Sequence, residues 1–353
     1  MATNRGGAPQ LRAVVHIGPV KTGSTAFTAQ MTTSQERGEL DDTIIYALPR
    51  EIKSLNASKV IIPEQIENLA PKLPWNRQSG KTNAQNSQPN QILGDDARTF
   101  LDDLTKNLRA QMTSDTTVIF VQETLSRRPS PGNLSSELLA RFDSVDYVFV
   151  ARAQQFIVPA AISQRVKSAS YPRVWDTKVS NYLNNVNLAN QFDYGLILDR
   201  WAPSDKRVRL FVVPYLESDR RTQKLFYRIL TTLGLITNLG ADIENEINAT
   251  PSRFEIGALR IYKKVSVSRT PSGLPRGKRQ RKRRRDAYNS TVIVLRRIAR
   301  ILRSPRWEVT PDERMGIVDF YQPSNLRFQE KLGGQAHSPE WTEWFRQAGI
   351  LDK

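Results

Sequence analysis

The junction between residues 11 and 25 constrains the fold most. Leu11 to Ile17 (LRAVVHI) is a short, β-branched apolar run that meets Gly18 and Pro19, the pattern of a buried strand closed by a tight turn. From Thr25 onward the chain (TAFTAQMTTSQ) has neither Pro nor Gly and reads as a helix. A strand that passes through a Gly-bearing turn straight into a helix belongs to the alternating α/β class. Three more buried-type strands, Thr117–Gln122, Tyr147–Ala151 and Val208–Val213, are each followed by a polar turn or a helix-like stretch. The alternation predicts a three-layer, P-loop-like α/β fold with a central parallel β-sheet flanked by helices.

The same junction carries chemistry. His16-Ile17-Gly18-Pro19-Val20-Lys21-Thr22-Gly23-Ser24-Thr25 brings backbone N–H groups, hydroxyls and one ammonium to the start of a helix. The positive end of the helix dipole adds to them, making an anion cradle. A Walker A loop has its lysine after the last glycine, whereas Lys21 precedes Gly23, which argues against an ordinary ATPase. Ser79-Gly80-Lys81-Thr82 imitates the tail of that motif, but Trp75 and Asn76 occupy the window where its first glycine belongs, and no apolar strand leads in. The surrounding stretch 76–90 is polar, rich in turn formers, and reads as a loop.

The KTGST loop after HIGP resembles the 5′-phosphosulfate loop of the PAPS-dependent sulfotransferase superfamily, whose bacterial and carbohydrate-directed members begin similarly. PAPS is 3′-phosphoadenosine-5′-phosphosulfate. The resemblance implies that Lys21, Thr22, Gly23, Ser24 and Thr25 hold the 5′-phosphosulfate. It also implies that Arg152, at the end of the strand YVFVA, holds the 3′-phosphate, which a guanidinium grips bidentately. The family serine eight residues after that arginine is here Ala160, with Ser163 one turn further on as the substitute. Arg152 also reads as an ordinary salt-bridged arginine. Phe192-Asp193-Tyr194, the strand VRLFVVPY, Asn248 to Ser252 and Pro323-Ser324-Asn325 follow the family's order. The likeness spans roughly residues 11 to 335 and implies one sulfotransferase-like domain over 11–353 behind a flexible N-terminus at 1–10.

Sulfuryl transfer needs a base for the acceptor's proton and positive charge near the leaving phosphate. Lys21 supplies the charge. Bacterial relatives often carry Ser-Glu-X-Leu at the end of the strand that here is Thr117–Gln122, and Glu123 fits that pattern as the base; Glu123 also reads as a turn cap or a partner of Arg127 or Arg128. His16 sits inside the first strand, where a core histidine is the commoner role. No metal is expected, because the Asp pairs at 41–42, 95–96 and 102–103 read as helix starts or solvated faces.

The formal charge of +17 is unevenly spread: Arg276 to Arg285 (RGKRQRKRRR) holds eight basic residues, and removing them leaves +9. A basic remainder suits an anionic ligand. The region 266–286 reads as a basic linker or exposed insertion, and 291–303 (TVIVLRRIARILR) as a basic amphipathic helix with Val294, Leu295, Ile298, Ile301 and Leu302 packed on its own domain. Contact of the run with an anionic polysaccharide or a membrane surface is open, and the expected acceptor is a saccharide. The absence of cysteine and of any apolar run near 18 residues leads to a cytoplasmic expectation, with peripheral membrane attachment open. Two alternatives stand: a P-loop kinase-like phosphotransferase, and a nucleic-acid-binding protein using the basic run, although no base-stacking aromatics accompany the run and no specific nucleic acid is expected.

Overall fold

The computed structural model describes residues 8–19, 27, 30–31, 34, 44–47, 95–121, 125–127, 133–168, 176–221, 224–236, 251–268 and 278–351. The loop at 76–90 lies outside them. The strands are β1 (Leu11–Gly18), β2 (Ile44–Ala47), β3 (Thr116–Val121), β4 (Ser144–Arg152) and β5 (Val208–Tyr215). The described helices are α1 (Asp95–Gln111), α2 (Leu134–Leu139), α3 (Gln154–Lys167), α4 (Val179–Leu183), α5 (Val186–Ala189), α6 (Tyr194–Trp201), α7 (Lys224–Thr232), α8 (Arg253–Ser268), α9 (Lys278–Ile301), α10 (Pro311–Leu332) and α11 (Pro339–Gln347). The chain forms two compact units, Met1–Ala151 with Leu196–Asn245 and Arg152–Gly195 with Glu246–Lys353.

The first unit is a three-layer α/β sandwich. Its sheet runs β2-β3-β1-β4-β5, with β2, β3, β1 and β4 pairing in parallel. The expected strands all form; β2 adds a short fifth one that sequence reading passed over. β1 is central because it is buried on both faces, so every residue from Ala13 to Gly18 is enclosed and its sequence reads as a continuous apolar run rather than an alternation. One face meets Phe27 and Met31 of the helix after β1, together with Leu225, Phe226, Ile229 and Leu230 of α7. On the other, Phe120 abuts Phe142, and Tyr147 abuts Trp201 of α6 while sharing a hydrogen bond with Ser135 of α2.

β1 is central in the sheet, and open parallel sheets bind ligands at the carboxyl ends of their strands.

The second unit is helical. Phe328, Trp341, Trp344, Phe345 and Tyr194 form its aromatic core. A Thr310–Glu313 capping box starts α10, satisfying two N–H groups that the first turn would otherwise strand.

The basic segment departs from expectation. Within 266–286, α8 continues to Ser268 and α9 begins at Lys278, so most of the run is helix rather than linker. Lys and Arg are good helix formers, so their density does not stop a helix. The 291–303 helix also faces differently from expectation. Leu295 packs with Tyr288 and Val292 around Val166, Ile256 and Leu259, while Val294, Ile298, Ile301 and Leu302 are exposed.

Candidate functional site

β1 reaches its carboxyl end at Gly18, whose φ of +112° lies where a β-carbon is strained. The parallel register to β4 shifts between His16 and Gly18. Glycine is thus required where the chain turns off the central strand toward the loop. Lys21, Thr22, Gly23, Ser24 and Thr25, and also Glu123, lie outside the described residues.

Beneath that turn His16 is buried and stacks on Phe27 with ring centroids 6.2 Å apart. Burial depresses its pKa to about 4, so the ring is neutral at physiological pH. A ring that weakly basic is a poor proton acceptor at neutral pH, in keeping with the core-histidine reading. It is not a satisfied one, however: Nδ1 has no hydrogen-bond partner among the described residues. Ser126, in the turn after β3 that packs beside β1, is fully buried with its hydroxyl equally unpartnered among the described residues. Sequence reading missed Ser126, whose only signal is its place three residues after Glu123.

Arg152 ends β4 and is 9% exposed. Its carbonyl accepts a hydrogen bond from the Tyr194 hydroxyl, a buried phenol whose pKa burial raises. α3 follows at once, and its N-cap residue, Ala153, makes no side-chain cap. A guanidinium beside a helix start suits an anion, since both offer N–H donors and positive potential.

The first residue of that helix is fixed by a buried amide pair. Gln154 Nε2 donates to Asn325 Oδ1 at 2.6 Å, and Asn325 Nδ2 returns a bond to Gln154 Oε1 at 3.0 Å. Ser324 donates to Asp193 Oδ1 at 2.7 Å. The Pro323-Ser324-Asn325 element is therefore a clamp that holds α10 to the segments around Arg152 and Tyr194. Ser252 accepts from the Glu255 N–H at the start of α8, so the last residue of the Asn248 to Ser252 segment is a helix cap.

Ser163 does not join Arg152. It lies nine residues into α3, about 14 Å along the axis at 1.5 Å per residue, and its buried hydroxyl donates to Ala160 O at 2.9 Å. Arg165 and Lys167 are half-buried in the last turn of α3. Compared with protein-family models, curated proteins and solved structures, the chain matches none. Among the described residues there is no group of three or more His, Asp or Glu side chains placed to hold a metal ion.

Proposed function

We propose that the chain is a PAPS-dependent sulfotransferase that sulfates a hydroxyl or amine, most naturally of a saccharide. The carrying observation is the end of β1: the central strand of a parallel sheet turns at a positive-φ glycine directly before Lys21-Thr22-Gly23-Ser24-Thr25. Beside it the buried polar atoms His16 Nδ1 and Ser126 Oγ lack partners among the described residues. Buried polar groups are normally satisfied, so their state there fits a polar occupant. Arg152 and the N-terminus of α3 suit the donor's 3′-phosphate, the more so for being held by Tyr194 and Asn325.

In this reading the acceptor oxygen or nitrogen attacks sulfur in line with the bond to the 5′-phosphate oxygen. That S–O bond breaks and its electron pair leaves with the phosphate, giving 3′-phosphoadenosine-5′-phosphate. The acceptor's proton passes to Glu123. Lys21 offsets the charge that grows on the leaving oxygen, and that role makes it the residue most sensitive to substitution.

The same strand-loop-helix unit would serve a phosphotransferase, so the test compares donors. Calorimetric titration with 3′-phosphoadenosine-5′-phosphate and with ATP is expected to give at least about tenfold tighter binding of the bisphosphate, the yield of one good charged contact. Equal or tighter binding of ATP would overturn the assignment.

A further inference from the structure

α9 spans 24 residues, about 36 Å at 1.5 Å per residue. Seven of its first eight residues, Lys278 to Arg285, are basic. Its later turns carry two separate apolar stripes. Tyr288, Val292, Leu295 and Ala299 fall within about 60° of one another at 100° per residue and face inward; Tyr288 is buried and its hydroxyl donates to Val166 O at 2.8 Å. Val294, Ile298 and Ile301 form a second stripe about 120° away, and they are 53%, 37% and 80% exposed. Leu302, just past the helix, is 58% exposed, and Arg297 stands beside the outer stripe.

From this arrangement we infer that α9 is a docking helix for an anionic lipid surface. Its inner stripe anchors it to the protein. Its outer stripe meets a bilayer's headgroup layer, which accepts apolar side chains into the acyl boundary, and the positive charge of its first two turns adds attraction to lipid phosphates. A polysaccharide or nucleic acid would engage the cations but give the exposed Val, Ile and Leu side chains nothing to bury against. The match of charge and apolar area therefore selects lipid. The helix is too polar to insert: among the described residues no helix is long and apolar enough to cross a membrane. The attachment is peripheral, and it does not depend on the proposed activity.

The test uses the full chain and vesicles of about three parts phosphatidylcholine to one part phosphatidylserine, pelleted at roughly 0.05 M and 0.3 M salt. Wild type is expected to pellet with these vesicles, less at the higher salt, and not with pure phosphatidylcholine. Two variants separate the contributions: V294S/I298S/I301S removes the outer stripe, and R281Q/K282Q/R283Q thins the cations. Each is expected to lower the partition coefficient by about tenfold or more, with melting unchanged because the replaced side chains of the first variant are solvent-facing. Columns of heparin and of duplex DNA form the other arm. Failure of wild type to pellet would overturn the inference, as would pelleting that survives loss of the stripe. Retention on heparin or DNA without retention on the vesicles would assign the run to a polyanion instead.

Discussion

The Tyr194 hydroxyl donates to the main-chain carbonyl of Arg152, 42 residues earlier in sequence. That bond fixes the last residue of β4 through its backbone. Tyr194→Phe is expected to strand a buried carbonyl and cost about 1–3 kcal/mol of stability. It should also loosen binding of 3′-phosphoadenosine-5′-phosphate. Chemical denaturation together with calorimetry checks both, and an unchanged unfolding midpoint would remove the positioning role.

Arg152→Lys replaces a planar fork with a point charge. Its expected signature is reduced discrimination between 3′-phosphoadenosine-5′-phosphate and adenosine 5′-phosphate, by about tenfold, with a smaller effect on turnover. If both nucleotides bind as before, the 3′-phosphate is held elsewhere.

Ser126→Ala tests the unpartnered hydroxyl. A stranded buried hydroxyl costs roughly 1–3 kcal/mol, so removing it should leave melting unchanged or raise it. Donor-nucleotide affinity should fall about tenfold if that hydroxyl contacts the ligand. A gain in melting with unaltered affinity would mark it as a packing defect only.

His16 gives a pH-dependent test whose sign follows from burial. Its folded pKa of about 4 lies below the ordinary 6.5, so between those values the unfolded chain binds a proton that the folded chain refuses. Stability therefore falls as pH drops from 6.5 to 4, by up to about 3 kcal/mol from this residue alone. His16→Phe should flatten that part of the stability curve relative to wild type, since phenylalanine does not titrate and still packs on Phe27. Parallel curves for the two proteins would mean that His16 is not buried neutral.

These residues also mark where sequence reading succeeded and where it stopped. β1, β3, β4 and β5 were legible because strands enclosed on both faces are unbroken apolar runs. Ile44–Ala47, at four residues, is too short for such a run to stand out. Gly18 and Arg152 were legible because local pattern names a strand end. Tyr194, Gln154 and Asn325 were not seen as partners, since 171 residues separate Gln154 from Asn325 and nothing local joins them. The basic run was misread because charge density suggested a solvated linker, whereas Lys and Arg are good helix formers. The outer stripe of α9 escaped because a helix with apolar residues over more than half its circumference does not declare which side is covered.

The amino edge of the sheet carries the last prediction. Asp146 of β4, with a fully buried side chain, is held by Arg12 of β1 and by Arg209 of β5, the latter through bonds of 2.7 and 2.9 Å. Arg12 also donates to Leu233 O at 3.0 Å. One carboxylate thus ties three strands. Its two partners differ in environment: the Arg12 side chain is 18% exposed and that of Arg209 is 55% exposed. Solvent screens the Arg209 pair, so Arg209→Ala should cost no more than about 1 kcal/mol. Arg12→Ala leaves the buried carboxylate facing only a water-screened partner and should cost about 3–5 kcal/mol. Asp146→Asn should cost as much, because it leaves Arg12 half-buried beside a neutral amide. Unfolding free energies of the three variants give the ranking. Equal losses for Arg12→Ala and Arg209→Ala would show that exposure does not divide the triad as argued.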